Sequence, residues 1–279
     1  MELFNKTTFS ISKYITKTYS TSFSLGILAF DRSYRDAIYA IYGFVRIADE
    51  IVDTFFGYNQ RELMKKFRKD TEEAIQSSIS VNPVLHAFAL TVNRYNIDYH
   101  YIDAFLKSME MDLDNSYYQK KEYDEYIYGS AEVVGLMCLK VFCHNDEELF
   151  QKLIKPARAL GSAFQKVNFL RDIKSDLTER ERIYLPGISS AQKIDDESKR
   201  SLEKEIEIEF AEALEGIKQL PDGVKLGVYS AYLYYKSLFN RIRKKRTKDL
   251  MSTRVRVPNT TKLALLLRGV VELKIMKDF

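Results

Sequence analysis

The chain of 279 residues has no Trp, two Cys, three His, five Pro and 11 Gly, and each shortage removes a class of structure. Gly and Pro together make up about 6% of the residues, against roughly 12% in average usage, too few turn-makers for a many-stranded sandwich or propeller. Cys138 and Cys143 cannot build a disulfide scaffold, and His86, His100 and His144 are too scattered for a histidine-based zinc site. A reducing, cytoplasmic compartment is expected. No apolar run reaches the ~18 residues of a membrane span, and the N-terminus lacks the basic start and apolar stretch of a signal peptide. The expectation is a soluble chain, or one that meets a membrane only peripherally at its inner face.

What is present is 46% apolar residues and 29% charged ones, enough to bury a core without staples and too apolar for disorder. No repeat, low-complexity tract or Gly/Ser linker divides the chain, so residues 1–279 are read as one domain. Ile38, Ile41, Val45, Ala48, Val52 and Phe55 alternate at three and four, which predicts a helix over 34–56 with Asp31 as N-cap and Gly57 as C-cap. Similar spacing predicts helices over 61–79, 84–95, 98–113, 123–142 and 149–177, the last absorbing Pro156 near its first turns. Residues 178–190 lose the period and hold Pro186 and Gly187, a predicted loop, before helices over 206–221, 223–247 and 263–277. The fold class read from this pattern is all-α.

Two polar stripes carry the chemistry. Tyr42, Arg46, Asp49 and Asp53 are spaced 4, 3 and 4, so they share one helix face beside the apolar stripe. Gln165, Asn168, Asp172 and Asp176 repeat the arrangement at 3, 4 and 4 on another helix. Carboxylates at i and i+4 repel each other, and a cation between them reverses the sign. Oxygen donors on two helices suit a hard cation such as Mg²⁺, bound through carboxylates and substrate phosphates. The bland alternative is a pair of solvated acidic faces, with Arg46 balancing Asp49 and with Arg171 and Lys174 balancing the second pair.

At these residues the chain resembles a known family. The run Tyr19-Ser20-Thr21-Ser22-Phe23, the run from Ala40 to Arg46 leading into Asp49 and Asp53, the segment from Tyr126 to Gly135, and Gln165 to Asp176 with Arg182-Ile183-Tyr184-Leu185-Pro186 are similar, in order, to the motifs of squalene and phytoene synthases. The resemblance implies an isoprenoid-synthase helical bundle with a central cavity that accepts two prenyl diphosphates. It implies Mg²⁺, or Mn²⁺, held by Asp49, Asp53, Asn168, Asp172 and Asp176. It implies diphosphate contacts from Ser20, Ser22 and Arg46, substrate contacts from Gln165 and Asn168, active-site tyrosines at Tyr42 and Tyr126, and cavity aromatics at Phe23 and Tyr235.

The reaction it implies is a 1–1′ condensation through a cyclopropylcarbinyl diphosphate. The phytoene branch takes C20 geranylgeranyl diphosphate and no NADPH; the squalene and dehydrosqualene branch takes C15 farnesyl diphosphate. A non-catalytic assembly factor on the same fold is the reading of another class. The chain departs from the family pattern at Thr21, where a basic residue is common and for which Arg32 or Arg35 would compensate, and at Glu132, where the family residue is usually small.

Residues 236–262 hold ten basic residues and one acidic one, Asp249. A solvated helix face and contact with anionic lipid both fit, whereas no motif accompanies the charges to support nucleic-acid binding, and no protein partner is indicated. Leu263, Leu266, Leu267 and Val270 at helical spacing are expected in the core.

Overall fold

The computed structural model describes residues 1–114, 116–185 and 195–277, with side chains as far as residue 273. The chain runs through α1 (Glu2–Tyr19), α2 (Thr21–Leu28), α3 (Arg32–Asp53), α4 (Gln60–Ser77), α5 (Pro83–Tyr95), α6 (Tyr99–Asp114), α7 (Lys120–Ile127), a π-helical turn (Tyr128–Glu132), α8 (Val133–Cys143), α9 (Glu147–Thr178), α10 (Asp196–Gln219), α11 (Asp222–Arg243), α12 (Thr247–Leu250) and α13 (Asn259–Lys277). Among the described residues the only β-type pairing is an isolated bridge between Tyr117 and Ile183.

α3 is central because its apolar stripe is fully used: Ile38, Ile41, Phe44, Ala48, Ile51 and Val52 are buried, and the helix packs on α1, α5, α6 and α8. The Phe44 ring stacks on Phe88 of α5 at 3.9 Å and lies 5.4 Å from Phe105 of α6. Burying one such side chain is worth about 1.5–3 kcal/mol. The helix stops at Asp53, short of the expected 56, so Phe55 is exposed and Gly57, at φ +92°, belongs to the following turn. Asp31 is the N-cap by position, yet its side chain makes no capping bond.

α1 has no apolar stripe to read. Its buried face is Thr8, Ser12 and Thr16, whose small side chains let the helix approach Gly43 of α3, where an added Cβ would meet Ser12 Cβ at 3.2 Å. The Thr8 and Thr16 hydroxyls donate back to the carbonyls of Asn5 and Ser12, so neither threonine hydroxyl is left unpaired.

The expected helix over 123–142 is broken by the π turn. Gly129 there lies against α6, where a Cβ would come within 2.4 Å of the Ala104 carbonyl, and Gly161 of α9 closes on the Ala131 carbonyl from the other side. The squeezed turn points Ser130, Ala131 and Val134 at the central cavity. The run Lys120–Cys143 is long and apolar enough to span a membrane by composition, at a mean hydropathy of 1.4, but 61% of that window is buried in the bundle, where it serves as core.

Pro156 falls well inside α9 rather than near its start, and Gly216 of α10 leaves room for its ring. Residues 179–185 are non-helical, as the predicted loop requires, while Pro186 and Gly187 lie outside the described residues. The expectation that the last apolar run is core fails in part: Leu263 and Leu267 are exposed.

Candidate active site

A cavity of about 610 Å³ opens between α2, α3, α6, the π turn, α8, α9 and α11. Its lining changes character along two helices in the same sense. On α3 it passes from Ile38 and Ile41 to Asp49 and Asp53, and on α9 from Leu153 and Leu160 to Asp172 and Asp176. The two polar ends meet: Arg180 reaches Asp176 Oδ1 at 2.9 Å and Asp53 Oδ2 at 3.3 Å. The result is one cavity with a charged mouth and an apolar interior, the shape that a diphosphate with a hydrocarbon tail would fill.

Ser20, Ser22, Phe23, Tyr42, Arg46, Asp49, Asp53, Tyr126, Gln165, Asn168, Asp172, Asp176 and Tyr235 all line this cavity. Ser20 is the N-cap of α2, accepting from the Phe23 amide at 3.2 Å. Phe23 lies 5.6 Å from the ring of Tyr42. Tyr42, pushed up to about 12 by burial, keeps its proton at neutral pH. The Tyr235 hydroxyl donates to Asn168 Oδ1 at 3.3 Å, and Asn168 Nδ2 donates to Gln165 Oε1 at 3.4 Å, which orients both amides.

The cations are placed differently from the sequence expectation. Arg46 pairs with Glu50, not Asp49, and lies 4.3 Å over the Tyr19 ring. Arg32 and Arg35 do not line the cavity, and Arg35 donates instead to the Phe30 carbonyl at 2.7 Å. Lys262 of α13 supplies the positive charge beside Thr21, donating to its Oγ1 at 3.0 Å. Glu132 is turned to Arg158, at 2.6 Å, and is not part of the lining.

Sequence reasoning missed a buried network behind Asp53. Asp112 of α6 accepts hydrogen bonds from the hydroxyls of Tyr118, Tyr126 and Tyr184, each at 2.8 Å. Arg182 lies 3.7 Å from Asp112 and donates to Asp53 Oδ1 at 2.7 Å and to the Val52 carbonyl at 2.9 Å. Asp112 and Arg182 are 7% and 5% exposed, so each needs the other's charge and the surrounding hydroxyls. The signal was legible: Asp112 continues the apolar stripe of Ile102, Phe105 and Met109, where a carboxylate has no business without a partner.

The sequence profile of the squalene/phytoene synthase family matches residues 16–261. The chain belongs to this family. It is 30% identical over 246 residues to the chloroplastic phytoene synthase of Narcissus pseudonarcissus, a match covering 80% of this chain and 57% of that one. It is 28% identical over 282 residues to the phytoene synthase of Arthrospira platensis, covering 92% and 91% respectively. The chain thus spans somewhat over half the length of the daffodil relative and nearly all of the cyanobacterial one. A solved dehydrosqualene synthase superposes with a TM-score of 0.82 at 23% identity, covering 97% of this chain and 98% of that one, which establishes the all-α isoprenoid-synthase fold.

Within the cavity, the carboxylates are held under electrostatic load. Burial, with Asp53 close by, pushes Asp49 up to about 8, and burial together with Asp172 pushes Asp176 up to about 7. Burial also raises Asp172, but the guanidinium groups of Arg171 and of Arg254, at 2.7 Å, outweigh it and hold that carboxyl below its usual range. Among the described residues no three Asp, Glu, His or Cys side chains converge as a metal cluster. Pairs of carboxylates on facing helices are nevertheless the donor count that Mg²⁺ uses when phosphate oxygens and waters complete its shell, so the residues fit that ion.

A pH dependence follows for chelator-treated protein. Asp49 and Asp176 have raised folded-state values, so between about pH 4 and 8 the unfolded chain releases protons that the fold retains, and stability falls as pH rises. Each unit crossed by one such group costs up to about 1.4 kcal/mol. Urea midpoints at pH 5 and 8 should therefore differ, with Asp49→Asn narrowing the gap. An equal gap in the variant contradicts the assignment.

Proposed function

We propose that the chain joins two geranylgeranyl diphosphates head to head, giving phytoene, two diphosphates and a proton, without a nicotinamide. The single observation that carries this reading is the cavity whose two aspartate faces meet at one end while its remainder is apolar. Support for the C20 product comes from the relatives named phytoene synthases.

In this reading Asp49 and Asp53 on α3, with Asn168, Asp172 and Asp176 on α9, would hold Mg²⁺ or Mn²⁺, whose positive charge would neutralise the diphosphate leaving groups. Ser20, Ser22 and Arg46 donate to phosphate oxygens, and Gln165 and Asn168, oriented through Tyr235, place the diphosphate end of the substrate. Ionisation leaves an allylic cation, which the second prenyl chain attacks at C1. The rings of Phe23, Tyr42 and Tyr126 face that charge and exclude water from it. Because the Tyr126 hydroxyl is committed to Asp112, Tyr126 acts through its ring. The resulting cyclopropylcarbinyl diphosphate ionises and rearranges, and loss of a proton ends the reaction with no change in oxidation level. Peripheral contact with a membrane belongs to the same reading, since substrates and product carry long hydrocarbon chains.

Incubating the protein with Mg²⁺ and the C15 or C20 diphosphate, with and without NADPH, and weighing the extracted hydrocarbon tests the proposal. A C40 product formed without NADPH is expected. A C30 product moves the function to the squalene or dehydrosqualene branch, and no product under any condition replaces the enzyme by a non-catalytic scaffold.

A further inference from the structure

α13 is apolar on two opposite faces, yet only one of them is covered. Toward α11, a Cβ added at Gly269 would meet Leu233, Ser230 and Tyr229 at 3.5–3.6 Å, and Leu265 and Leu273 pack on the core. On the far side Leu263, Leu267 and Val271, spaced four apart, form a stripe 55%, 61% and 57% exposed. A second apolar face on a helix ordinarily packs against another element, and this one is open.

Beside the stripe, a second cleft of about 940 Å³ lies between α11, residues 253–256 and α13. Its lining is rich in cations and contains no carboxylate. Arg254 is engaged by Asp172, and Arg268 by Glu272 at 2.8 Å. Arg241, Lys244, Lys245 and Arg256 have no carboxylate partner among the described residues and are exposed. Arg268 follows Leu267 directly and so sits about 100° round the helix axis from it, where the apolar stripe passes into the basic cleft.

We infer that this face docks on an anionic phospholipid bilayer, the Leu263–Leu267–Val271 stripe entering the acyl boundary and Arg241, Lys244, Lys245 and Arg256 meeting lipid phosphates. Charge complementarity selects the occupant: a second copy of the chain would have to present a strongly acidic surface to this cleft, and a nucleic acid would leave the apolar stripe uncovered. Arg254 lines both the basic cleft and the aspartate cavity, so docking sets the charged mouth of the cavity against the lipid headgroups. The inference names the surface for the peripheral contact in the functional reading and rests on that reading only for its purpose.

Flotation of the full chain with vesicles of phosphatidylcholine alone or with 30% phosphatidylglycerol (a proportion of about one anionic lipid in three) reads it directly. Binding to the anionic vesicles, weakened by salt, is expected. R241Q/K244Q/K245Q should lower partitioning about a hundredfold, roughly fivefold for each charge removed. L263S/L267S should lower it at least about tenfold. Both variants should keep the parent's helix content and, with detergent-dispersed substrate, its activity. Absence of flotation with anionic vesicles, equal flotation with neutral ones, or variants that float like the parent would overturn the inference. So would an L263S/L267S variant that turns a dimer into a monomer while vesicle binding stays unchanged. Flotation without product sinks the catalytic reading alone; product without flotation sinks the docking surface alone.

Discussion

A chain carrying Asp49→Asn and Asp172→Asn is expected to keep its fold and lose turnover by at least about a thousandfold. Asn preserves the volume of each side chain and removes a charge that burial already penalises at Asp49. At Asp172 the change leaves Arg171 and Arg254 without their carboxylate; Arg254 is half exposed and water solvates it, whereas Arg171 is mostly buried and keeps only the amide oxygen as acceptor. Stability should therefore fall by about 1–3 kcal/mol through Arg171, short of unfolding the chain, while the two helices lose one anionic ligand each and with it the neutralisation of the diphosphate leaving groups. Product formation by mass, with circular dichroism as the control on folding, measures the loss. Activity within tenfold of the parent would sink the proposed clamp.

The second large effect is on stability. Asp112→Ala should cost about 3–5 kcal/mol, because Arg182 is left buried without one of its counter-charges and three tyrosine hydroxyls lose their acceptor. Asp112→Asn should fall between, since one amide oxygen still accepts from Tyr118 and Tyr184 while the charge is gone. Denaturant midpoints compared at constant slope give these differences directly. The same variants should also slow catalysis, because Arg182 holds Asp53 from the far side of the network. An unchanged midpoint for Asp112→Ala would mean that the network contributes nothing net.

How much was legible before the structure depends on the kind of residue that signals. α3 could be read because its buried residues are apolar and spaced at three and four, and the helix appears within a few residues of the expected bounds. α1 could not, because it packs through threonine and serine, chosen for small size at a close crossing, and hydrophobic periodicity is blind to that. The π turn was hidden for a related reason: its cause is the pair of glycine contacts with α6 and α9, which no local pattern in 123–142 contains. α13 was misread in the opposite sense, since leucines at helical spacing predict an apolar face but not whether anything covers it.

The candidate site divides along the same line. Spacing along a helix determines which side chains share a face, because the backbone period is a property of the chain itself, and that sufficed for the faces of Tyr42 to Asp53 and Gln165 to Asp176. Which charges meet across helices is decided by packing. Arg180 joins Asp53 to Asp176, Arg254 reaches Asp172 from the far end of the sequence, and Lys262 stands beside Thr21. Those partners are set by how long-range burial brings α3, α9, α11 and α13 together, and in a low-dielectric cavity the balance between burial and the nearest guanidinium sets each carboxylate's charge. Sequence alone determined the helices with apolar stripes and the two acidic faces; only the tertiary structure decided which charge answers which across helices, because that depends on distances through space rather than along the chain.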